Sequence, residues 1–314
     1  MIDFCGKRKI FFTISIVIMA CAILSTFVFG IQLDIQFKGG SIITYSHTGE
    51  IDKSTAQSFI EKTIGDNVTV QEAKDVTTGN TNMVVSLTAS KSLSSEKQQQ
   101  LTNALQAEYP QQNINILQIN NVDPTIGKEF FAKCLVALVL SSILMIIYIA
   151  IRFRKIGGWS AGVMCMLALL HDSIVVYATF IICRIPLNEN FIAVVITIIG
   201  YSLNATIVIY DRIRENKGVL GKTVPLAELV TTSVNQSMGR TVMTSVATIS
   251  AMAIVCIVGK VYNLDSILSF AFPLTMGMIS GLYSSVCIAP ALWTTWQEYV
   301  ANKNAPAKSS KKKK

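Results

Sequence analysis

Six long apolar stretches limit what this chain of 314 residues can fold into. Each has about 19 residues or more, enough for a helix that rises ~1.5 Å per residue to cross the ~30 Å hydrocarbon core of a bilayer. The sequence therefore predicts a polytopic α-helical membrane protein with six transmembrane helices. The predicted spans are Ile10–Gly30, Phe130–Ile151, Ile156–Cys183, Phe191–Tyr210, Thr241–Gly259 and Ser266–Trp293.

The first apolar stretch has the basic flank of a signal peptide, because Lys7, Arg8 and Lys9 precede it. Its 21 uncharged residues nevertheless exceed the apolar region of about 7–15 residues that signal peptides have. No A-x-A-like cleavage site follows it. We therefore interpret residues 10–31 as a permanent first transmembrane helix and residues 1–9 as a short cytoplasmic N-terminus.

Lysine and arginine are distributed unevenly between the loops, which indicates the orientation of the spans. Seventeen of these residues flank the spans on one side, whereas the short loops on the other side contain only Arg184 and Lys260. This asymmetry predicts that both termini are cytoplasmic and that residues 32–129 form an external domain. A five-helix transmembrane domain at 130–294 and a basic cytoplasmic tail at 295–314 complete the predicted organisation.

The external segment reads as six short elements in the order β-α-β-β-α-β, which is the ferredoxin-like pattern. Asp52 is placed to cap the first helix, and Thr77–Asn80 has the composition of a hairpin turn. The sequence thus predicts a small α+β ferredoxin-like domain. The predicted elements are Ile35–Tyr45, Asp52–Ile64, Val68–Lys74, Met83–Thr88, Ser95–Tyr109 and Ile114–Val122.

Motifs for catalysis, metal binding and nucleotide binding do not occur in the sequence. The seven cysteines lie in or near the spans without a CxxC pair, and His47 and His171 are the only histidines. Gly221-Lys222-Thr223 resembles the end of a phosphate-binding loop, but Asn216 occupies the position of the motif's first glycine. Lys311–Lys314 is interpreted as a solvated tail. We therefore expect no enzyme activity, cofactor, metal or nucleic-acid partner.

Asp172 is the only carboxylate deep within a predicted span, and His171 lies beside it. An ionised Asp at this depth costs about 2.5–3.5 kcal/mol on insertion scales, so it needs a partner, water or a proton. Two interpretations remain open for Asp172. It is either a proton or ion site, or a protonated side chain that bonds a neighbouring helix. His171 is interpreted as a packing residue.

A polar stripe on the fourth span consists of Gly200, Asn204 and Asp211, which steps of four and seven residues place on one helical face. Arg240 begins the fifth span at the same predicted boundary. One interpretation is that Asp211 pairs with Arg240 at a gate. The other is that both are ordinary charges anchored at the membrane interface.

Several motifs together resemble the SecF family, a component of the SecD–SecF complex of the bacterial protein translocase. The resemblance covers nearly the whole chain, with one span, an external domain and five further spans in the same order. The motifs that support it are Gly200–Asn204, Asp211–Asn216, Ser233–Thr241, Phe37–Gly40, Asp123–Gly127 and His171-Asp172.

Three positions depart from the family pattern. Gln36 occupies a position where the family usually has Asp, ahead of the glycines at 39 and 40. Asp123 replaces the usual glycine before Pro124. Ala205 replaces the Asp of the family's Asn-Asp-Thr sequence, which removes one carboxylate from the ion route.

The resemblance implies half of an RND-type transporter, with SecD supplying the other half. Such a complex uses the proton or sodium motive force to assist late steps of Sec-dependent protein export across the bacterial cytoplasmic membrane. The implied partners are SecD, the SecYEG translocon, YajC, an exported preprotein and the lipid bilayer. The resemblance makes Asp211 and Arg240 the first candidates for ion coupling, with Asn204 lining the route and Asp172 second. The motif positions are Gly39, Gly40, Gly127 and Gly200.

Two alternatives to this function remain. The first is a non-transporting scaffold or assembly subunit of the translocase, which would tolerate neutralisation of its membrane carboxylates. The second is a self-sufficient exporter of small molecules. Six spans disfavour the second alternative, because they amount to only half of an RND-type unit.

Overall fold

The computed structural model describes residues 2–49, 51–74, 81–87, 94–220, 224–262 and 264–304. These residues form a helical bundle and a small sheet domain. A 3₁₀ turn at Arg154–Ile156 follows α5, and a π-helical segment at Ser284–Ile288 joins α9 to α10. In chain order the elements are α1 (Arg8–Phe29), α2 (Ile35–Lys38), β1 (Gly40–Ser46), α3 (Lys53–Ile64), β2 (Val68–Lys74), β3 (Thr81–Leu87), α4 (Ser95–Glu108), β4 (Asn115–Val122), α5 (Pro124–Arg152), α6 (Gly158–Ile182), α7 (Glu189–Val219), α8 (Leu226–Val261), α9 (Asp265–Tyr283) and α10 (Ala289–Asn304).

Six helical stretches among the described residues are long and apolar enough to cross a membrane, which confirms the predicted number of spans. They are α1, α5, α6, α7, α8 and the continuous run from α9 through the π-helical segment to α10. In chain order, one of these helices precedes the small sheet domain and five follow it. The basic tail at Lys311–Lys314 and the segment Gly221–Thr223 lie outside the described residues.

Helices α7 and α8 extend well beyond the apolar stretches from which spans four and five were predicted. The extensions remain helical because they pack on each other through apolar side chains, with Ile213, Val230 and Val234 fully buried. The Asn216 amide adds hydrogen bonds of 2.8 Å to Ser233 Oγ and Gln236 Oε1. The apolar length of a span therefore underestimates the length of the helix.

The sheet domain has the predicted ferredoxin-like topology. Its strands are ordered β2-β3-β1-β4, and every neighbouring pair is antiparallel. Helices α3 and α4 supply fully buried side chains to its core, among them Ile60, Leu101 and Leu105. Asp52 caps α3 as predicted, and hydrogen bonds from the Thr55 hydroxyl and N–H lower the pKa of its carboxyl. The predicted hairpin turn at Thr77–Asn80 lies outside the described residues.

The predicted strand at Ile35–Tyr45 is wrong over its first four residues, which form the short helix α2. The N–H groups of Phe37 and Lys38 bond to the Asp34 carbonyl, and the Asp34 carboxylate accepts the Gln36 N–H at 3.0 Å. These local bonds favour a helical turn over an extended strand. Gly39, at φ 83°, then turns the chain into β1.

The motifs that flank the sheet domain meet in one junction. A side chain at Gly127 would come within 3.1 Å of the backbone of Gln36, Phe37 and Gly39, so α5 needs glycine there to approach α2. The Phe37 ring packs on Phe131, with ring centroids 5.1 Å apart. This junction connects the sheet domain to the start of α5.

The centre of the bundle is formed by α6, α7 and α9, which pack closely through small residues. A side chain at Gly277 would lie 2.7 Å from atoms of both Ile198 and Val176. At Gly281 it would lie 3.1 Å from Ser202 Cβ. Glycine at 277 and 281 therefore allows the close packing that brings three helices together around Asp172.

Candidate ion-coupling site

Asp172 lies on α6 at the centre of the bundle, and its side chain is fully buried. Three serine hydroxyls donate to its carboxylate. Ser202 Oγ lies 2.9 Å and Ser284 Oγ 2.6 Å from Oδ2, while Ser280 Oγ lies 2.7 Å from Oδ1. We call these four residues the Asp172 cluster.

The donors of the Asp172 cluster come from different elements. Ser202 is on α7, Ser280 on α9 and Ser284 at the start of the π-helical segment. Ser285 extends the network, since its hydroxyl lies 3.1 Å from both Ser202 Oγ and Thr206 Oγ1. The consecutive serines Ser284 and Ser285 of the π-helical segment thus bond to Asp172 and to Ser202, respectively. Segments of π-helix occur frequently at functional sites.

His171 contacts the same carboxylate, with Nδ1 3.3 Å from Asp172 Oδ1. Its Nε2 is buried and has no hydrogen-bond partner among the described residues. The ring lies 6.1 Å from the Tyr283 ring. His171 therefore belongs to the polar surroundings of Asp172 as well as to the packing of the bundle.

The chemistry of the Asp172 cluster follows from its donors. Hydroxyl donors stabilise a carboxylate in its ionised form. Apart from His171, no described basic group forms an ion pair with Asp172. The arrangement therefore places a buried carboxyl group among hydroxyls, a type of group that can take up a proton or a small cation.

Asp211 pairs with two arginines at the far end of α7, and neither of them is Arg240. Its Oδ2 lies 3.1 Å from Arg152 Nη2, and its Oδ1 lies 2.9 Å from Arg214 Nη2. The hypothesis that Asp211 pairs with Arg240 is therefore wrong in this conformation. Arg214 is one helical turn away on the same helix and Arg152 ends the neighbouring α5, so both reach the carboxylate from adjacent positions.

Arg240 and Asn204 are brought together between α7 and α8. Both line a small cavity of about 90 Å³, and Ala205, the position that departs from the family pattern, lines it too. Arg240 forms no ion pair with a carboxylate in the part of the chain that the structure describes. The predicted polar route is thus split into a cavity at Asn204 and Arg240 and a separate ion-pair cluster at Asp211.

The glycines at the motif positions 39, 40, 127 and 200 have different surroundings. Gly200 faces open space, and no described residue lies within 4 Å of the position that a side chain would take there. The neighbouring Tyr201 hydroxyl lies 2.8 Å from Thr248 Oγ1 on α8. Gly39 and Gly40 both have positive φ, and Gly127 forms the close junction described above.

Sequence reasoning missed the serines of the Asp172 cluster and the role of Arg152. A signal was present, because Ser280 and Ser284 are four residues apart in an apolar span and so share a helical face. Ser202 lies two residues before Asn204 in the motif Gly200–Asn204, where the sequence pointed only to Gly200 and Asn204 as site residues.

Comparison with known proteins identifies the family. Residues 100–299 match the family model described as protein export membrane protein SecD/SecF, C-terminal. The chain is 32% identical over 295 residues to the protein translocase subunit SecF of Calditerrivibrio nitroreducens, covering 93% of this chain and 92% of that protein. It is 33% identical over 295 residues to the subunit SecF of Petrotoga mobilis, covering 92% and 93%.

A solved structure has the same fold. The crystal structure of SecDF, a translocon-associated membrane protein from Thermus thermophilus, superimposes with a TM-score of 0.79 at 28% identity. The match covers 95% of this chain and 39% of that one. The chain therefore spans about two fifths of the fused protein.

Proposed function

This chain belongs to the SecD/SecF family of protein-export membrane proteins, and from that premise we propose that it couples a transmembrane gradient of protons or sodium ions to late steps of Sec-dependent protein export. It is a multi-pass membrane protein with a role in protein export. The coupling to an ion gradient is our proposal. In this account the chain itself catalyses no reaction.

The Asp172 cluster is the observation that best supports ion coupling. A scaffold needs no carboxylate at the centre of its bundle, since an apolar residue of similar volume stabilises packing at least as well. In this chain the centre of the bundle contains the carboxyl group of Asp172, and hydroxyls from α7, α9 and the π-helical segment surround it. Loading or releasing an ion at Asp172 changes the bonds that hold these elements together, which gives the ion a mechanical effect.

Two connections pass such a movement to the sheet domain. Leu33, ahead of α2, pairs with Leu187 in the α6–α7 loop, and the Leu187 N–H donates to the Gln32 carbonyl at 2.8 Å. The junction of Phe37 with Gly127 and α5 is the second connection. We propose that rearrangement of α6 and α7 around Asp172 moves the sheet domain relative to the bundle.

We propose that a SecD-type protein supplies the second half of the transporter. The fused SecDF protein has the matching region within a longer chain, of which this chain spans 39%. Spans four to six are the proposed contact. Large apolar side chains of α8, such as Met243, Ile254 and Ile257, are exposed there, and the Arg240 cavity lies between α7 and α8. SecYEG, YajC and the exported preprotein are further proposed partners.

The proposed orientation follows the positive-inside distribution of Lys and Arg. Both termini are cytoplasmic, and the sheet domain lies on the outer side of the bacterial cytoplasmic membrane. No ATP reaches that side, whereas one charge that crosses the membrane supplies about 2.3 kcal/mol per 100 mV. An ion gradient is therefore a suitable energy source for export steps outside the membrane.

Ion flux in vesicles that contain this chain and the SecD-type protein of the same organism tests the proposal. Asp172→Asn, Asp211→Asn and the double variant are compared with Asp66→Asn, an exposed position in the sheet domain. We expect wild-type flux with Asp66→Asn and loss of flux with Asp172→Asn. Normal flux in the double variant, with normal assembly, would instead support the scaffold function.

A further inference from the structure

We propose that a cavity at the turn between α5 and α6 is a binding site for one anionic phospholipid of the surrounding bilayer. We call it the α5–α6 cavity. In this arrangement the lipid phosphate lies beside Arg154, and an acyl chain lies along the apolar side chains of α5. The cavity shares no residue with the Asp172 cluster, so the lipid site does not depend on the proposed ion coupling.

The α5–α6 cavity lies where two membrane-spanning helices meet the membrane boundary. Helix α5 ends at Arg152 and α6 begins at Gly158, and both are long and apolar enough to cross a membrane. The last turns of α5, the 3₁₀ turn and the first turn of α6 line an open cavity of about 670 Å³. Ligand cavities in proteins have volumes of about 300–1,000 Å³. The cavity is therefore large enough for part of a lipid, and it lies at the level of the headgroups.

Two glycines give the cavity its shape. Gly157 has φ 95°, a left-handed conformation that turns the chain from the 3₁₀ turn into α6. A side chain at Gly158 would collide with the Ala150 carbonyl, so glycine there lets the start of α6 pack directly on α5. Because neither position carries a side chain, space remains between the two helices, and Ile151 and Trp159 border it.

Arg154 supplies a positive charge to the cavity. The side chains of Phe153 and Ile156 are buried in the bundle and fix the 3₁₀ turn, which leaves Arg154 exposed between them. The neighbouring Arg152 pairs with Asp211, but Arg154 forms no ion pair with any residue that the structure describes. Its planar guanidinium matches the geometry of a phosphate group, so a phosphate is the chemistry that this side chain would bind.

Two lysines increase the positive charge around this turn. Lys155 follows Arg154 and is exposed, and Lys217 Nζ, near the end of α7, lies 3.5 Å from the Lys155 carbonyl oxygen. Neither lysine forms an ion pair within the described ranges. The three basic side chains together favour a ligand that carries a net negative charge.

Apolar side chains form the other part of the site. Ile147 and Ile151 lie one helical turn apart on α5, line the cavity and are exposed. Trp159 borders the cavity from α6, with 68% of its surface exposed. Tryptophan is enriched at membrane–water interfaces, where its ring lies at the level of the headgroups. The α5–α6 cavity thus combines an apolar wall for an acyl chain with an unpaired cation for a headgroup.

This combination favours a lipid over other occupants. A transmembrane helix of a partner would cover the isoleucines but leave Arg154 without a counter-charge. A soluble anion would pair with Arg154 but leave the apolar wall uncovered. Phosphatidylglycerol fills both parts, and its net negative charge distinguishes it from the zwitterionic phosphatidylcholine. We therefore expect the cavity to bind phosphatidylglycerol more tightly than phosphatidylcholine.

Native mass spectrometry of the detergent-solubilised full chain, titrated with each lipid, tests this inference. We expect saturable binding of one phosphatidylglycerol per chain, with weaker binding of phosphatidylcholine. Arg154→Gln should weaken the binding of phosphatidylglycerol about fivefold, which corresponds to the ~1 kcal/mol that one basic side chain contributes near an anionic lipid surface. It should change the binding of phosphatidylcholine much less. Lys9→Gln is the matched control, because Lys9 is an exposed basic residue at the start of α1 that does not line the cavity.

A second pair of variants tests the apolar part of the site. Trp159→Ala should weaken the binding of both lipids. Trp296→Ala should not, because it removes an exposed tryptophan of α10 that does not line the cavity. Thermal unfolding without lipid checks that each variant is folded. Phosphatidylglycerol should then raise the unfolding temperature of the wild type more than that of Arg154→Gln, since a ligand stabilises the folded state to which it binds.

Three results of the titrations would overturn the proposed site. They are equal affinity of the wild type for the two lipids, unchanged phosphatidylglycerol binding in Arg154→Gln, and displacement of the lipid by inorganic phosphate, which would indicate a site for a free anion. Loss of the bound lipid when the SecD-type protein assembles with the chain would also contradict the proposal, because a partner helix would then occupy the cavity.

Discussion

Among the described residues, the carboxyl group of Asp172 at the centre of the bundle is surrounded by hydroxyls and not by a basic side chain from a neighbouring helix. Three hydroxyls from Ser202, Ser280 and Ser284 solvate the carboxylate in place of water. A hydrogen bond to a charged group contributes about 1.5–3 kcal/mol to stability. The serines are therefore part of what holds α6, α7 and α9 together.

Removal of one donor should destabilise the bundle measurably. We expect Ser280→Ala to lower the free energy of unfolding by about 1.5–3 kcal/mol, since the carboxylate remains buried with one donor fewer. Thermal unfolding of the detergent-solubilised chain in choline buffer measures this change. Ser173→Ala should have much less effect, and equal losses from both variants would show that Ser280 contributes only its volume.

The arginine partners of Asp211 can be distinguished by double-mutant cycles. Asp211 and Arg152 pair at 3.1 Å, and both are about one third exposed. An exposed pair of this kind contributes ~0.2–1 kcal/mol, so the coupling energy between Asp211→Asn and Arg152→Gln should fall in that range. The cycle of Asp211→Asn with Arg240→Gln should give a coupling near zero. A larger coupling with Arg240 would mean that the two residues pair in the conformation that dominates in solution.

At the scale of residues, the sequence revealed Asp172 but not the serines that donate hydrogen bonds to it. Asp172 is conspicuous because it interrupts an apolar run. Serines in membrane helices often bond to carbonyls of their own helix, as Ser173 does to Leu169 and Ser142 to Leu138. The side chain alone therefore does not tell which serine turns towards a neighbouring helix. The predicted partner of Asp211 was wrong for a related reason. Several arginines lie at the same end of the bundle, and the sequence does not tell which of them reaches the carboxylate.

At the scale of elements, close helix packing depends on glycines at positions where a side chain would collide with a neighbouring helix. Gly277 on α9 faces Ile198 on α7 and Val176 on α6, and an added Cβ would lie 2.7 Å from each. Around Gly239 on α8, no atom of the residues that the structure describes lies within 4 Å of an added Cβ. Gly277 is therefore tightly packed between helices, whereas Gly239 faces open space in the described structure.

Alanine substitutions should therefore have opposite effects at these two glycines. Gly277→Ala should destabilise the chain by about 1–3 kcal/mol, because an overpacked core must shift its side chains. Gly239→Ala should stabilise it by about 0.5–1 kcal/mol, because alanine favours a helix interior. Thermal unfolding measures both variants. Destabilisation by Gly239→Ala would show that a contact outside this chain, such as a partner helix, occupies the open space.

Sequence patterns predicted nearly every element, and the errors have local physical causes. The segment Ile35–Tyr45 was predicted to be a strand broken at Gly39-Gly40. The part after the break is strand β1, but the Asp34 cap makes the part before it the helix α2. The apolar stretch ending at Tyr210 predicted a helix that stops there. Buried side chains such as Ile213 continue the helix, because they pack on α8 rather than on lipid.

At the scale of the whole molecule, the sheet domain and the segment that leads into it contact the bundle at several places, two of which involve the backbone closely. The bridge between Leu33 and Leu187 connects it to the α6–α7 loop, and Gly127 connects it to α5. The order of one helix, a domain and five helices could be predicted from apolar lengths. These connections could not, because they depend on backbone contacts between distant parts of the chain.

Thiol labelling tests the proposed orientation. Cysteine is introduced at Asp66, an exposed position between α3 and β2, or at Gly218, an exposed position near the end of α7, in a cysteine-free variant. An impermeant reagent added to intact cells should label position 66, whereas position 218 should react only after lysis. The opposite pattern would reverse the orientation predicted from the basic loops.

We propose that an ion gradient drives export through Asp172. The most direct test of this claim is the translocation of a preprotein in vesicles that contain this chain, the SecD-type protein and SecYEG, with and without an imposed sodium or proton gradient. A gradient of the coupling ion should increase completed translocation with the wild type and with Asp66→Asn, but not with Asp172→Asn. Equal stimulation of Asp172→Asn and the wild type, with normal assembly of the complex, would contradict the claim.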